Sequence, residues 1–352
     1  MRRRSFALDL ERPLATARGT IRRREGELVG VDADGVRGVG EATPLPGWTE
    51  SLDDCRAALD RIDPDATLLD GPPTDPLSAA PGVADALADA PAARHAVESA
   101  ALDARGRRDG DALASLFADA PADRVPVNAT IGDGAVDETV SATKTAVADG
   151  FDCLKVKVGV GELDRDVARL RAVREAVGDG VAIRADANGA WDRETASEAV
   201  AELAALDLAY LEQPLARTDL AGHAALRGRG VPIALDETLA TAGVGAILDA
   251  DAADVLVLKP MALGGPARTL AVAERVRAAG VDPVVTTTID AAPARTAAVH
   301  VAAAIPDVRP CGLATASALA TDLCPDPVPV VGGAIAVPDG PGVAGDAFED
   351  LL

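Results

Sequence analysis

The sequence predicts a (β/α) barrel preceded by a smaller α+β unit, and three observations predict it. From Val125 onward, eight short β-branched runs alternate with Ala-rich helical windows, the rhythm of βα units wound in one direction. Ahead of Val125 the pattern is different, with short strands joined by a tight turn and helical windows after them. Polar residues recur at the inferred strand ends Lys157, Asp186, Glu212, Asp236 and Lys259, at intervals of 29, 26, 24 and 23 residues, the length one βα unit needs. The alternation alone is also compatible with a doubly wound open sheet.

Residues 4–10, 27–33 and 36–42 read as an antiparallel meander, the last two strands joined by a turn at 32–35 that ends in Gly35. Helical windows follow at 51–62, 83–106 and 111–119, interrupted by the Pro/Asp/Gly-rich stretch 63–76. The barrel strands are expected at 125–131, 153–158, 181–186, 208–212, 232–235, 254–259, 282–287 and 310–313. The closing stretch 325–352 is rich in Pro and Gly with one strand-like run and is expected to pack back onto the first unit. Apolar residues make up 48% of the chain but aromatics only 2%, so a large core must be built from Ala, Val, Leu and Ile.

The chemistry is announced by lysine. Four lysines stand against thirty arginines, and Lys155, Lys157 and Lys259 fall inside buried-strand patterns. Arginine stays protonated, whereas a desolvated ammonium can lose its proton near neutral pH. Side chains alternate along a strand, so Lys155 and Lys157 share a face, as do Arg184, Asp186 and Asn188. Three carboxylates from consecutive units, Asp186, Glu212 and Asp236, make a hard oxygen site suited to Mg²⁺, with Mn²⁺ as a substitute. Such an ion would stabilise the charge that develops when a proton α to a carboxylate is removed. Its charge, that of Lys155 and desolvation would lower the pKa of Lys157 towards its working range. Lys157 and Lys259 would flank the substrate on opposite faces. Asp236 is also the residue of the three most easily read as a helix N-cap.

Taken together, Lys155-Val156-Lys157, Asp186-Ala187-Asn188, Glu212-Gln213-Pro214, Asp236-Glu237 and Lys259-Pro260 resemble the enolase superfamily, muconate-lactonizing subgroup, across nearly the whole chain. The resemblance implies a modified (β/α)7β TIM-like barrel at 123–321 under an α+β capping domain at 1–122, completed by 322–352. The stretches Arg23 to Val29 and Gly40 to Glu50 resemble the capping loops of the o-succinylbenzoate synthases, which dehydrate 2-succinyl-6-hydroxy-2,4-cyclohexadiene-1-carboxylate in menaquinone synthesis. By that resemblance Lys157 is the general base and acid, Lys259 stabilises an enediolate and Arg184 faces the pocket. Trp48, on a Pro-rich loop, would lie near the pocket. Thr287 and Thr288 replace a family serine run near the succinyl carboxylate, Asp290 stands where glutamate is common, and Gly312-Leu313 matches the last strand. Together with Asn188 these are the expected substrate contacts. The alternative on the same scaffold is an N-acylamino-acid racemase or dipeptide epimerase, the latter disfavoured because residues 308–320 contain no Asp or Glu. A Schiff-base aldolase-type barrel is the alternative from another mechanistic class. His95, His223 and His300 fall in helical windows and read as structural.

A formal charge of −22 spread along the chain, with no basic stripe, excludes nucleic acid and anionic lipid as partners. Dispersed acid with scarce lysine also suggests adaptation to high salt. Four separated cysteines without a CxxC pair fit free thiols in a reducing compartment. The basic start Met1-Arg2-Arg3-Arg4 lacks the apolar run of a signal peptide, and no 18-residue apolar stretch occurs. The expectation is a cytoplasmic enzyme for a small carboxylate substrate, compatible with a homo-oligomer.

Overall fold

The computed structural model describes residues 1–16, 19–33, 35–62 and 68–352. An antiparallel sheet of β1 (Arg2–Thr16), β2 (Gly19–Ala33) and β3 (Val36–Ala42) opens the chain. The expected strands are present, and β1 and β2 are longer than predicted because they pair along most of their length. Asp34 of the expected turn and residues 63–67 of the Pro-rich stretch lie outside the described residues. Helices α1 (Leu52–Asp60), α2 (Pro81–Ala86) and α3 (Pro91–Asp109) follow. The single window predicted at 83–106 is thus two helices, parted where Pro91 can start a helix but not continue one. The window at 111–119 contains only a 3-10 turn at Leu113–Leu116.

The cap is held by close approach between β3 and α3. A Cβ on Gly38 would meet the Ala100 carbonyl at 2.0 Å, and one on Gly40 the Ala96 carbonyl at 1.9 Å. Ala96, Ala100 and Ala104 lie one helical turn apart, so a stripe of small residues lets the helix backbone settle onto the sheet. That is how a chain with so few aromatic rings still fills its core.

Next come β4 (Arg124–Pro126), β5 (Ala129–Ile131), α4 (Val136–Ala148), β6 (Cys153–Lys157), α5 (Leu163–Val177), β7 (Ala182–Asp186) and α6 (Arg193–Leu203). They are followed by β8 (Tyr210–Glu212), α7 (Leu220–Leu226), β9 (Ile233–Leu235), α8 (Glu237–Asp249), β10 (Val255–Leu258), the short α9 (Pro260–Leu263), α10 (Pro266–Ala278), β11 (Asp282–Val285) and α11 (Ala292–Ala304). Strands β5 to β11 form one curled, parallel sheet in sequence order. The alternation along each strand is sharp. Leu154, Ile183, Leu211, Ile233, Leu256 and Val285 pack against the helices, while Tyr210, Ala234, Val255 and Val284 form a separate inner cluster.

Two expected strands are corrected. The run 125–131 is divided, because β4 pairs with the tail strand β13 (Ala334–Ala336), itself paired with β12 (Val330–Val331), and only β5 joins the large sheet. Residues 310–313 form no strand: Cys311 bridges Val127 and Gly312 bridges Thr286. Those bridges link the two edges of the curled sheet. Gly312 is required there, since an added Cβ would lie 2.5 Å from Thr286 Oγ1.

The tail then crosses to the cap, where Phe348 and Leu351 pack with Leu28, Val39 and Leu102. Asp103 on α3 accepts from the backbone N–H of both Val39 (2.8 Å) and Val343 (2.7 Å), and burial pushes its carboxyl up to about 6. His300 on α11 is fully buried; its Nε2–H donates to the Val343 carbonyl (2.7 Å) and its Nδ1 accepts from the Ala114 N–H (3.2 Å). Only the neutral ring satisfies both bonds. The three histidines lie in α3, α7 and α11. Among the described residues no helix is long and apolar enough to cross a membrane.

Burial lowers the His300 pKa from 6.5 to about 4, so the native state takes up this proton later than the unfolded chain. The ring's contribution is complete above pH 6.5 and is lost as pH falls through that value towards 4, up to about 3 kcal/mol. Denaturant unfolding across this range is expected to show the stability gap between wild type and His300→Gln narrowing as pH falls.

Candidate active site

The ladder of the parallel sheet brings the predicted side chains into rows. Lys155, Arg184 and Tyr210 are register partners across β6, β7 and β8, and Lys157, Asp186 and Glu212 form the next row towards the strand ends. Asp236 and Lys259 stand immediately after β9 and β10. Asp236 occupies the N-cap position of α8 but makes no capping bond with its side chain. It turns to Lys259 instead, whose Nζ lies 2.6 and 2.5 Å from its two carboxylate oxygens.

Lys155 Nζ donates to Glu212 Oε1 (2.6 Å) and lies 2.9 Å from Asp186 Oδ2. Lys157 Nζ donates to Asp186 Oδ2 and Asn188 Oδ1, both at 2.7 Å. Among the described residues no three acidic, imidazole or thiol side chains are drawn together as a ready-made cage for an ion, because lysine ammoniums lie between them. The charges are strongly coupled. Burial opposes ionisation of Asp186, but Lys155 and Lys157 outweigh it and hold that carboxyl well below the usual range. Burial also opposes the charge on Lys155, yet Asp186 and Glu212 keep its pKa well above normal. Burial and then Asp186 push Glu212 up to about 7 against the pull of Lys155. Asp236 is raised by burial despite Lys259.

The donor set fits a small divalent cation. The three carboxylates offer hard oxygen donors, and Glu212 Oε2 is buried without a hydrogen-bond partner among the described residues. A carboxylate left in that condition is short of positive charge.

The cap supplies the roof. Trp48 lies with its ring centroid 3.3 Å from Lys259 Nζ, a cation–π contact. Its loop is pinned from three sides. The Leu45 carbonyl accepts from the N–H of Trp48 and Thr49, at 2.9 and 3.0 Å. Glu50 accepts from Ala92 and Ala93 N–H, at 3.1 and 2.9 Å, capping α3, whose own cap residue Ala90 has no side chain able to do so. Arg217, from the loop after β8, donates to the Gly47 carbonyl (3.1 Å). A cavity of about 290 Å³ opens beside Lys259, lined by Trp48, Pro91, Leu239, Val257 and Leu263.

Other expected substrate contacts are placed differently. Arg184, 2% exposed, lies beneath the carboxylates, stacked on Tyr210 at 4.6 Å and bonded to Asn128 Oδ1 at 3.2 Å. Its inward parity is as predicted, and it occupies the row of Lys155, one step below Asp186. Thr287 and Thr288 line the turn after β11 with their hydroxyls engaged, Thr287 with Thr315 (3.1 Å) and Thr288 with Asp290. Leu313 is buried in the apolar cluster between sheet and helices. Asn188 does reach the mouth, bridging Lys157 and Glu237.

Sequence reasoning misses Gln213, whose buried Oε1 accepts from both Asp236 and Thr238 N–H at 3.1 Å and so fixes the turn that presents Asp236. Arg24 and Glu41 lie inside the two stretches that resemble capping loops, but residue order assigns neither of them a role.

Residues 3–118 match the mandelate racemase / muconate lactonizing enzyme N-terminal domain, and residues 138–349 match the enolase C-terminal domain-like family. The o-succinylbenzoate synthase of Thermobifida fusca is 40% identical over 220 residues, 61% of this chain and 67% of that protein. A chloromuconate cycloisomerase of Cupriavidus necator is 30% identical over 304 residues, 84% of this chain and 82% of that one. The substrate-liganded L-Ala-D/L-Glu epimerase of Bacillus subtilis superposes with a TM-score of 0.84 at 26% identity, covering 97% of each chain. With both domains matched and the same curled sheet and cap, the chain belongs to the enolase superfamily.

Proposed function

We propose that the protein is a Mg²⁺-dependent o-succinylbenzoate synthase, removing the proton α to a carboxylate and eliminating water from 2-succinyl-6-hydroxy-2,4-cyclohexadiene-1-carboxylate. The observation that carries this reading is the set of three carboxylates at the ends of β7 and β8 and just after β9, with Lys157 bonded to Asp186 and Lys259 to Asp236. The 40% identity with the Thermobifida fusca synthase supports this member of the superfamily over a cycloisomerase. Residues 308–320 contain no acid to hold the ammonium of a dipeptide, which weighs against the epimerase reading.

Asp186, Glu212 and Asp236 would hold the ion, which would supply positive charge to the substrate carboxylate as its α-carbon loses a proton. Lys157, as the free amine, takes that proton on Nζ. The C–H electron pair moves into an enediolate. It then re-forms a ring double bond as the C–O bond breaks, and Lys157 returns the same proton to the departing hydroxyl. The products are water and an aromatic ring, and the amine is regenerated. Lys259 contributes a fixed positive charge on the opposite flank, held in place by Trp48 above it. Lys155 sets the orientation of Asp186 and Glu212 through its two contacts. Leu239, Val257 and Leu263 give the cavity beside Lys259 an apolar lining.

Lys157→Ala and Lys259→Ala are each expected to lower turnover by roughly 10³-fold or more, the scale of a lost general acid/base or a lost preorganised charge, while Mg²⁺ still raises the melting temperature. Near-normal dehydration by either variant would refute the assignment. Lys259→Arg separates the two lysine roles. Residual dehydration there, with no racemisation of N-succinylamino acids, is the result a purely electrostatic role predicts. Chelation should abolish turnover of the wild type and lower its melting temperature, both reversed by added Mg²⁺; activity that survives EDTA and is trapped by borohydride would point to a Schiff base instead.

A further inference from the structure

We infer that Arg24, on the cap strand β2, is a positioning residue that locks the turn after β11 to the loop carrying Trp48. The inference rests on the reading of this site as a carboxylate pocket between cap and barrel. Arg24 is 4% exposed, and its guanidinium donates to three backbone carbonyls: Thr43 (2.7 Å), Pro44 (3.2 Å) and Ile289 (3.3 Å). Burying a guanidinium to serve carbonyls is an expensive way to join two segments, and its planar fork suits the task because it fixes several acceptors at once.

The segment it grips is strained. Ile289 has a φ of 62°, and a β-branched residue in the left-handed region persists only when its surroundings impose that conformation. Here the surroundings are identifiable. Arg24 holds the Ile289 carbonyl, and Thr287 Oγ1 accepts from the Ile289 N–H (3.2 Å). Thr288 bonds to Asp290. Glu41, on β3, accepts from the N–H groups of Ala291 and Ala294, both at 2.9 Å, which anchors the start of α11. Two charged cap residues thus grip one five-residue turn, and that turn carries Thr287 and Thr288 at the barrel mouth. Through Thr43 and Pro44 the same guanidinium holds the stem of the Trp48 loop. Arg24 therefore sets the spacing between the Trp48 loop and the turn after β11, and on the proposed reading the fit of the substrate between them.

The test is Arg24→Met, followed by hydrogen exchange of the folded protein and by steady-state kinetics. The amides of Ile289 and Ala291 are expected to exchange at least about tenfold faster than in wild type, with the interior of α11 unchanged. KM should rise about tenfold or more with kcat within about threefold, because binding geometry is lost while Lys157 and Lys259 stay in place. A variant that merely weakened the fold would not produce that split. Wild-type exchange at 289–291 overturns the clamp, and a loosened turn with an unchanged KM overturns the positioning role. Should Arg24→Met fail to fold, Arg24→Lys keeps the buried charge but cannot span three carbonyls, and the same exchange and kinetic outcomes support or overturn the role. If wild-type protein dehydrates no such substrate, the functional reading falls while the exchange data still decide the clamp.

Discussion

Six charges share the barrel mouth, three carboxylates and three ammoniums, most of them buried. Any one of them alone would be strongly disfavoured there, and together they are tolerable only because each lies within hydrogen-bond reach of an opposite charge. The parallel ladder makes this arrangement available. It sets Lys157, Asp186 and Glu212 level with one another, one row above Lys155 and Arg184. The positive and negative sums do not cancel locally at Glu212, whose buried Oε2 has no partner among the described residues and whose carboxyl resists ionisation. That residual need for a cation links the electrostatics of the scaffold to the proposed chemistry.

The same economy of material shapes the cap. With almost no aromatic side chains to fill space, β3 and α3 meet through glycine and alanine, and Trp48 covers the Lys259 ammonium with its flat ring. The loop that holds it depends on a borrowed helix cap from Glu50 and on an arginine from the barrel. Cap and barrel are therefore joined by polar contacts at the pocket as well as by apolar packing. His300 and Asp103 perform a similar task at the tail, each tying it to α11 or α3 with bonds that only one protonation state satisfies.

Several parts of this arrangement are legible from residue order. Strand periodicity places Lys155 and Lys157 on one face, and the spacing of acidic residues identifies the three strand ends that carry carboxylates. The departures share a cause. The run 125–131 has the composition of one strand, and nothing local shows that its first half pairs with residues more than 200 positions away. Residues 310–313 likewise have strand composition, yet the sheet edges need only two bridges from them. Parity gives Arg184 its face but not its partners, Tyr210 and Asn128, since it specifies the side of a strand and not what lies across it.

By itself the sequence determined the fold class, the inward face of each barrel strand and the identity of the groups available for acid–base chemistry, because these follow from periods of two and 3.6 residues and from the intrinsic chemistry of lysine and carboxylate. Tertiary structure alone decided which of those groups meet. The hold of Arg24 on Ile289, of Glu41 on Ala291 and of Trp48 on Lys259 each joins residues more than 200 positions apart. Such contacts depend on how the cap settles on the barrel, and no local pattern records that packing.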